Sequence, residues 1–267
     1  MTYLPKEYKI EKIKNETEEV KLLTVKTDID PEPGQFFQVS LPGIGECPLA
    51  SCSSNSKEVD MLVRNVGTVT SKMFELNPKD SVWIRGPYGN GFPINKLKGK
   101  TLVLIAGGTG IAPITSLIEY IEKNRKQFGK VEIYFGFRNK ENILLKERLE
   151  RWKKKFKVVI ALDKSEKGWT GEVGFLNSVI LKHNPDKKSI ALLCGPEIMM
   201  KLVTETLNKL GIENNKIYWS LERRMECGIG SCGRCLIQDV YCCKDGPVFR
   251  YDFIKPKLDN EEASNKL

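Results

Sequence analysis

The sequence predicts an antiparallel β-barrel followed by an α/β domain on a parallel sheet, with a small cysteine-bound module near the C-terminal end. Three observations carry that prediction. Short alternating apolar runs divided by turns fill the chain from Tyr8 to about Ile84, buried strands alternate with amphipathic helices beyond Gly99, and five of the eight cysteines crowd between Cys227 and Cys243. At 267 residues the chain exceeds one hydrophobic core, and 40% apolar with 29% charged residues fills two cores beneath a charged surface.

The barrel, expected over residues 1–99, is read from YKIEKIKN, VKLLTVKT, QFFQVSL, EVDMLVRNV and SVWIRG, with the PEPG turn at Pro31 to Gly34 between the second and third runs. None carries a sustained 3.6-residue repeat, so each is a strand. From 100 to 221 the rhythm becomes TLVLIA, a helix through SLIEYIEKNRKQF, VEIYFGF, a helix through ENILLKERLERWKKKF, VVIALD, a short helix near GFLNSVILKH, SIALLCG, a helix through EIMMKLVTETLNKLG, and KIYWSL. Such alternation makes a parallel sheet covered on both faces. Residues 222–253 are too few for their own apolar core, so a metal centre supplies the missing cross-links; 254–267 read as a polar tail.

The longest uncharged stretch, Thr101 to Ile118, holds three glycines and a proline and divides into strand, loop and helix, so no membrane insertion is expected. MTYLPKEYKIEKI has no apolar signal core, and a cytoplasmic protein is expected. A net charge of +9 selects no partner class by itself. Nucleic acid is set aside because the cysteine block has neither a histidine partner nor a recognition helix.

Cys227-Gly-Ile-Gly-Ser-Cys232-Gly-Arg-Cys235, then seven residues and Cys243, has the C-x4-C-x2-C spacing of a [2Fe-2S] loop, whose glycines permit turns that aim amides at sulfur. A structural zinc site, as in a non-enzymatic assembly protein, is the competing reading, although zinc favours paired CxxC knuckles. Cys242 competes for the fourth place. Cys243 is preferred because it opens the Cys-Lys-Asp-Gly-Pro turn, whereas Cys242 is expected on the other side of an extended strand.

Ala106-Gly-Gly-Thr-Gly-Ile-Ala-Pro113 joins a buried strand to a helix, where phosphates can approach backbone amides and the positive helix end. Cys194-Gly195-Pro196 forms a second such turn on the carboxyl edge of the same sheet. In the barrel, Cys47-Pro-Leu-Ala-Ser-Cys-Ser-Ser54, Leu62-Val-Arg64 and Gly67-Thr-Val-Thr70 offer hydroxyls, amides and a guanidinium to a flavin and its pyrophosphate; a plain barrel turn is the alternative. Gly86-Pro-Tyr-Gly-Asn-Gly-Phe92 is another turn-rich segment, with the barrel's exit as the alternative. His183, the sole histidine, lies in polar LKHNPDKK as a surface or capping residue.

The order barrel, GGTGIAP, CGP, CGIGSCGRC, CKDGPVF resembles, over nearly the whole chain, the ferredoxin-reductase-like electron-transfer subunits that carry FAD and a C-terminal [2Fe-2S] cluster. Within that family GQFFQVSLPGIGECP, IRGPYGNGFP, LERWKKKF, PEIMMK, LERRMECGIGSCGRC and the seven-residue gap before Cys243 resemble the B-type electron-transfer component of anaerobic sulfite reductase. Hydrogenase or sulfhydrogenase gamma subunits, with a longer insertion there, and dihydroorotate dehydrogenase B electron-transfer subunits are relatives.

The resemblance implies flavin contacts from Pro48, Leu49, Ala50, Ser51 and Ser53, then from Leu62, Val63, Arg64, Gly67, Val69 and Thr70. Leu49 and Ala50 stand where the family has an aromatic and a serine. It places a nicotinamide crevice at Gly107, Gly108, Thr109, Gly110, Cys194 and Gly195, with Cys194 beside the ring, and cluster ligation at Cys227, Cys232, Cys235 and Cys243. The implied path runs from NADH by hydride to FAD, then singly through the cluster to iron-sulfur and siroheme-containing sulfite reductase subunits or hydrogenase subunits, with no catalytic side chain. Arg138 after VEIYFG keeps NADPH open as donor.

Overall fold

The computed structural model describes residues 3–53 and 57–264, which fall into two compact units. One holds residues up to Phe92 together with Thr115–Tyr120 and Glu222–Val248; the other holds Pro93–Ile114, Ile121–Leu221 and the chain from Phe249 onward.

The first unit is built on strands β1 (Lys6–Asn15), β2 (Val20–Lys26), β3 (Phe36–Leu41), β4 (Gly45–Ala50), β5 (Glu58–Arg64) and β6 (Ser81–Tyr88), with helix α1 (Thr68–Phe74) between the last two. They pair antiparallel in the order β4-β3-β6-β1-β2-β5, and an antiparallel bridge from Ser51 to Met61 joins the two ends of that order. The sheet therefore closes into a barrel and leaves no free edge there. Alternation puts Val59, Met61 and Val63 of β5 inside with Ile10, Val25, Phe37, Val39, Val82 and Ile84. Each such side chain contributes about 1.5–3 kcal/mol on burial. Strand β4 and helix α1 had no clear signal: β4 carries Pro48 within a six-residue run, and α1 is a seven-residue helix of mixed TVTSKMF.

The second unit follows the expected rhythm: α2 (Ile94–Leu97), β7 (Leu102–Gly107), α3 (Ile111–Lys123), β8 (Val131–Phe137), α4 (Lys146–Lys153), β9 (Lys157–Leu162), β10 (Glu172–Val173), α5 (Leu176–His183), β11 (Ile190–Cys194), α6 (Glu197–Lys209) and β12 (Ile217–Ser220). Helix α4 is shorter than ENILLKERLERWKKKF because Ile143–Leu145 are buried ahead of it and Leu145 turns left-handed, with φ +53°. After the hairpin β13 (Leu236–Ile237) and β14 (Val240–Tyr241) and the turn α7 (Cys242–Asp245), β15 (Val248–Arg250) joins this sheet and leads into α8 (Tyr251–Ser264). The strand order is β10-β9-β8-β7-β11-β12-β15, so successive crossovers run one way from β7 and the other way from β11. A sheet that reverses in this manner opens a crevice at the carboxyl ends of the two strands where the order switches.

The polar tail expected from 254 is instead most of α8. Ile254 and Leu258 are buried, and Tyr251 packs on Trp219 with ring centroids 4.5 Å apart. Pro256 inside the helix and the charged KPKLDNEE hid that apolar stripe.

Glu132 on β8 is 3% exposed, with Lys130 Nζ at 2.7 Å, Lys157 Nζ at 2.8 Å and the Tyr134 hydroxyl donating at 2.5 Å. Burial pushes its carboxyl up, but these donors outweigh that and hold it at about 2, below its usual 4.5. A depressed carboxylate contributes stability that is present above the unfolded value and lost as pH falls through the folded one. Glu132→Gln is expected to lower unfolding stability at pH 7 by about 2–3 kcal/mol, with the deficit shrinking as pH falls from about 4.5 towards 2. Urea unfolding of both proteins across that range checks this; a pH-independent deficit contradicts it.

Candidate functional site

In the α/β unit, β7 and β11 pair in parallel with Ala106 opposite Cys194, so the Gly107–Gly110 and Cys194–Gly195 turns emerge side by side at the switch point. Their glycines are required by contact. A Cβ on Gly110 would lie 2.6 Å from the Gly195 nitrogen and 2.7 Å from the Cys194 carbonyl, and one on Gly107 would lie 2.5 Å from Met199 Sδ. Gly108 is exposed at φ +55° with open space around its Cα, and Thr109 is half-buried beside it. The pair of turns thus packs backbone on backbone and leaves Gly108 and Thr109 facing outward ahead of α3, a geometry suited to a phosphate group. The Cys194 side chain is 1% exposed. Arg138 is exposed just past the end of β8, on the same carboxyl edge. His183 ends α5, where Nε2 lies 2.9 Å from a Glu172 oxygen.

In the barrel unit the Cys227–Cys235 loop wraps its own sulfurs with amides. The backbone nitrogens of Ile229, Ser231 and Cys232 donate to Cys227 Sγ at 3.3–3.5 Å, Gly230 N donates to Cys243 Sγ at 3.1 Å, and Cys243 N donates to Cys235 Sγ at 3.4 Å. Gly228, Gly230 and Gly233 make this possible at φ +77°, +76° and +80°, conformations that residues with a Cβ rarely adopt. Burial pushes the Cys227 thiol up, yet the amides of Ile229, Cys232 and Ser231 more than reverse this and bring it to about 6. Burial, with help from Cys235, pushes Cys243 up to about 12. Among the described residues no three His, Cys, Asp or Glu side chains gather closely enough to hold a single ion. Several N–H dipoles point at sulfurs that would carry negative charge, a donor set that fits a thiolate-bound iron-sulfur group. Cys242 and Cys243 share the helical turn α7 rather than an extended strand, so they diverge by a helical step, not by alternation. The Cys243 sulfur accepts an amide from the middle of the loop.

The predicted flavin residues separate into two sets. Leu49, Met61 and Val63 point into the barrel core, which leaves Pro48, Ala50, Leu62 and Arg64 on the opposite face where β4 and β5 meet. Leu49 and Val63 are thereby committed to the core rather than to a ring, and Val69 packs partly against it. Ser51 and Ser53 serve the barrel closure: Ser51 Oγ donates to the Ser53 carbonyl at 2.9 Å, and Ser53 Oγ accepts the Asp60 amide at 3.0 Å. Thr70 Oγ1 accepts the amides of Val66 and Gly67 at 3.1 and 3.0 Å. Arg64, exposed at the end of β5, pairs with Glu19 at 3.1 Å. The face formed by Pro48, Ala50, Leu62 and Arg64, two small or rigid side chains, an aliphatic one and a guanidinium, fits a planar ring system with a phosphate tail. Ser54 lies outside the described residues.

The turn-rich Gly86–Phe92 segment stands out in the sequence, but Arg85 just before it does not, and Arg85 donates to the carbonyls of Cys227 and Glu226. An arginine closing the alternating strand in IRGPYG was the only available signal.

Residues 104–205 match the family model described as oxidoreductase NAD-binding domain, and residues 222–255 match the iron-sulfur cluster binding domain of dihydroorotate dehydrogenase B. The chain is 37% identical over 263 residues to sulfhydrogenase 1 subunit gamma of Pyrococcus furiosus, covering 91% of this chain and 89% of that one. It is 39% identical over 250 residues to a probable dihydroorotate dehydrogenase B (NAD(+)) electron transfer subunit of Methanocaldococcus jannaschii, covering 92% and 90%. A solved NADH-dependent reduced ferredoxin-NADP oxidoreductase superposes with a TM-score of 0.77 at 23% identity, covering 95% of this chain and 93% of that one, and so shares the fold. No helix among the described residues is long and apolar enough to cross a membrane. The narrower likeness to the sulfite reductase component gives way to a broader grouping: with an NAD-binding sheet, an iron-sulfur module and these full-length relatives, the chain belongs to the ferredoxin-reductase-like, FAD- and NAD(P)-binding family of electron-transfer subunits that includes those of sulfhydrogenase (gamma) and of dihydroorotate dehydrogenase B.

Proposed function

We propose that this chain is the NADH-oxidising electron-transfer subunit of a hydrogenase- or sulfhydrogenase-type complex, with FAD on the barrel and a [2Fe-2S] cluster on Cys227, Cys232, Cys235 and Cys243. The observation that carries it is the amide-lined cysteine loop of the barrel unit, in a chain that also holds a sheet whose two glycine turns meet at the switch point. When bound, these groups supply two-electron acceptance from a reduced nicotinamide and one-electron release to a partner. The chain's own residues bind and orient. Gly108 and Thr109 receive the dinucleotide phosphates, the buried Cys194–Gly195 turn packs beside them at the nicotinamide end, and Arg64 offers its charge to the flavin pyrophosphate. The amides of Ile229 to Cys232 hold negative charge at sulfur, and exposed Cys232 and Arg234 put one edge of the loop within a partner's reach.

The hydrogenase-type partner follows the sulfhydrogenase gamma relative; a sulfite reductase partner rests on the sequence stretches and the short gap before Cys243 alone. NADH is preferred, and exposed Arg138 is the residue that would meet the 2'-phosphate of NADPH. Anaerobic purification with flavin, iron and sulfide quantification, followed by stopped-flow absorbance on adding NADH or NADPH, tests the reading. Flavin bleaching followed by bleaching of the iron-sulfur bands, faster with NADH, is expected. Zinc in place of iron, or no response to either nucleotide, overturns it.

A further inference from the structure

The end of β6 and the turn after it grip both limbs of the cysteine loop. Arg85 has a side chain 12% exposed and forks onto Glu46, with Nε donating to one carboxylate oxygen at 2.9 Å and Nη2 to the other. The same guanidinium donates from Nη1 to the Cys227 carbonyl at 2.5 Å and from Nη2 to the Glu226 carbonyl at 2.8 Å. Glu46 thus fixes the plane of the fork, and the remaining donors address the backbone of the first ligand. The Tyr88 ring lies under Gly228, where a Cβ would come within 2.8 Å of it, and Gln38 Nε2, fully buried, donates to the Met225 carbonyl at 3.0 Å.

The other limb is held by Asn90. Its backbone amide donates to the Gly246 carbonyl at 2.6 Å, and Nδ2 donates to the carbonyls of Asp245 at 2.8 Å and Val248 at 3.1 Å. Gly89, at φ +84°, lets the strands close: a Cβ there would lie 2.5 Å from Pro247 Cδ and 2.8 Å from the Gly246 carbonyl. All the carbonyls addressed lie at or near Cys227 on one limb and just past Cys243 on the other. A loop of this kind, with short β13 and β14 as its own regular structure, depends on such outside donors for a fixed shape.

We propose that Arg85 and Asn90 are positioning residues that fix the iron-sulfur loop on the barrel, Arg85 through the Cys227 limb and Asn90 through the turn after Cys243. The proposal rests on reading that loop as an iron-sulfur site.

The test uses the full chain as purified, with Arg85→Gln, Arg85→Lys and Asn90→Ala beside the wild type, and flavin content as the control for an intact barrel. Three quantities are read: the rate of iron release to a ferrous chelator, the electron paramagnetic resonance of the dithionite-reduced protein, and amide hydrogen exchange of residues 226–247. Arg85→Gln and Asn90→Ala are expected to release iron at least tenfold faster and to shift the resonance line shape. Exchange should quicken about tenfold at 226–234 in Arg85→Gln and at 243–247 in Asn90→Ala, with flavin retained. Arg85→Lys, which keeps the charge and loses the fork, should fall between Arg85→Gln and the wild type. Release and exchange within twofold of wild type in both variants overturn the proposal, and if Arg85→Gln yields no folded protein, Asn90→Ala decides. A wild type without iron overturns the iron-sulfur reading separately, and exchange then still decides whether Arg85 and Asn90 hold the loop.

Discussion

Cys243→Ser is expected to leave less than a tenth of the wild-type iron and sulfide in the purified protein and to remove the reduced iron-sulfur resonance, while Cys242→Ala keeps both. The two cysteines are adjacent and equally buried, so chemical type cannot separate them. Geometry does. Cys243 Sγ accepts the Gly230 amide from the middle of the cysteine loop, and its own amide reaches Cys235 Sγ, so its sulfur already belongs to the constellation. Burial raises the affinity of its thiol for a proton, which ligation in the proposed cluster would displace. Cys242 is buried and its backbone amide donates to the Cys235 carbonyl at 3.1 Å, a bond that alanine keeps, so trimming the side chain is expected to cost about 1 kcal/mol of packing. Iron and sulfide analysis of the two variants settles the order; loss of iron in Cys242→Ala with retention in Cys243→Ser reverses the assignment.

Gly110→Ala is expected to abolish reduction by nicotinamide nucleotide and to destabilise the α/β unit by about 3 kcal/mol, the upper end for an inserted methyl in a packed site. The obstruction is backbone, the Gly195 nitrogen and the Cys194 carbonyl carbon and oxygen, which has no rotamer to yield. Gly108→Ala is the informative contrast: the neighbouring space is open and only the left-handed φ of +55° is strained, a cost of about 1 kcal/mol. Calorimetry and stopped-flow flavin reduction separate the two effects. Equal behaviour of both variants would mean that the turns do not pack as described.

Much of this molecule was legible because its signals are local. GGTG and CGP announce themselves by residues that only tight turns need, the alternation of TLVLIA and VEIYFGF with amphipathic helices dictates a covered sheet, and C-x4-C-x2-C has few competing chemical uses. The flavin face was less legible for a reason of parity. A motif lists consecutive residues, whereas a strand divides them between two faces, so Pro48 and Ala50 face outward while Leu49 is lost to the core. Nor does the sequence disclose that the hydroxyls of Ser51, Ser53 and Thr70 are taken up by barrel closure and helix capping, since those partners are fixed only when the strands pair. The grip of Arg85 and Asn90 on carbonyls some 140–160 residues away is invisible for the same cause: a carbonyl has no letter in the sequence.

The chain leaves the α/β unit at Leu221 and returns to it at Phe249, where β15 and α8 follow. The cysteine module is consequently an insertion, not an appendage, and that alters what its loss would mean. Cutting the chain after Leu221 would strip the sheet of its last strand and the unit of its final helix, so truncation is a poor way to remove the cysteine module; replacing its cysteines leaves both in place. With both ends anchored, the module carries a closure entropy of about 3 kcal/mol that folding of the sheet has already met. On the proposed iron-sulfur reading, a chain stripped of its cluster would therefore reload by rearranging one tethered loop rather than by refolding of the whole.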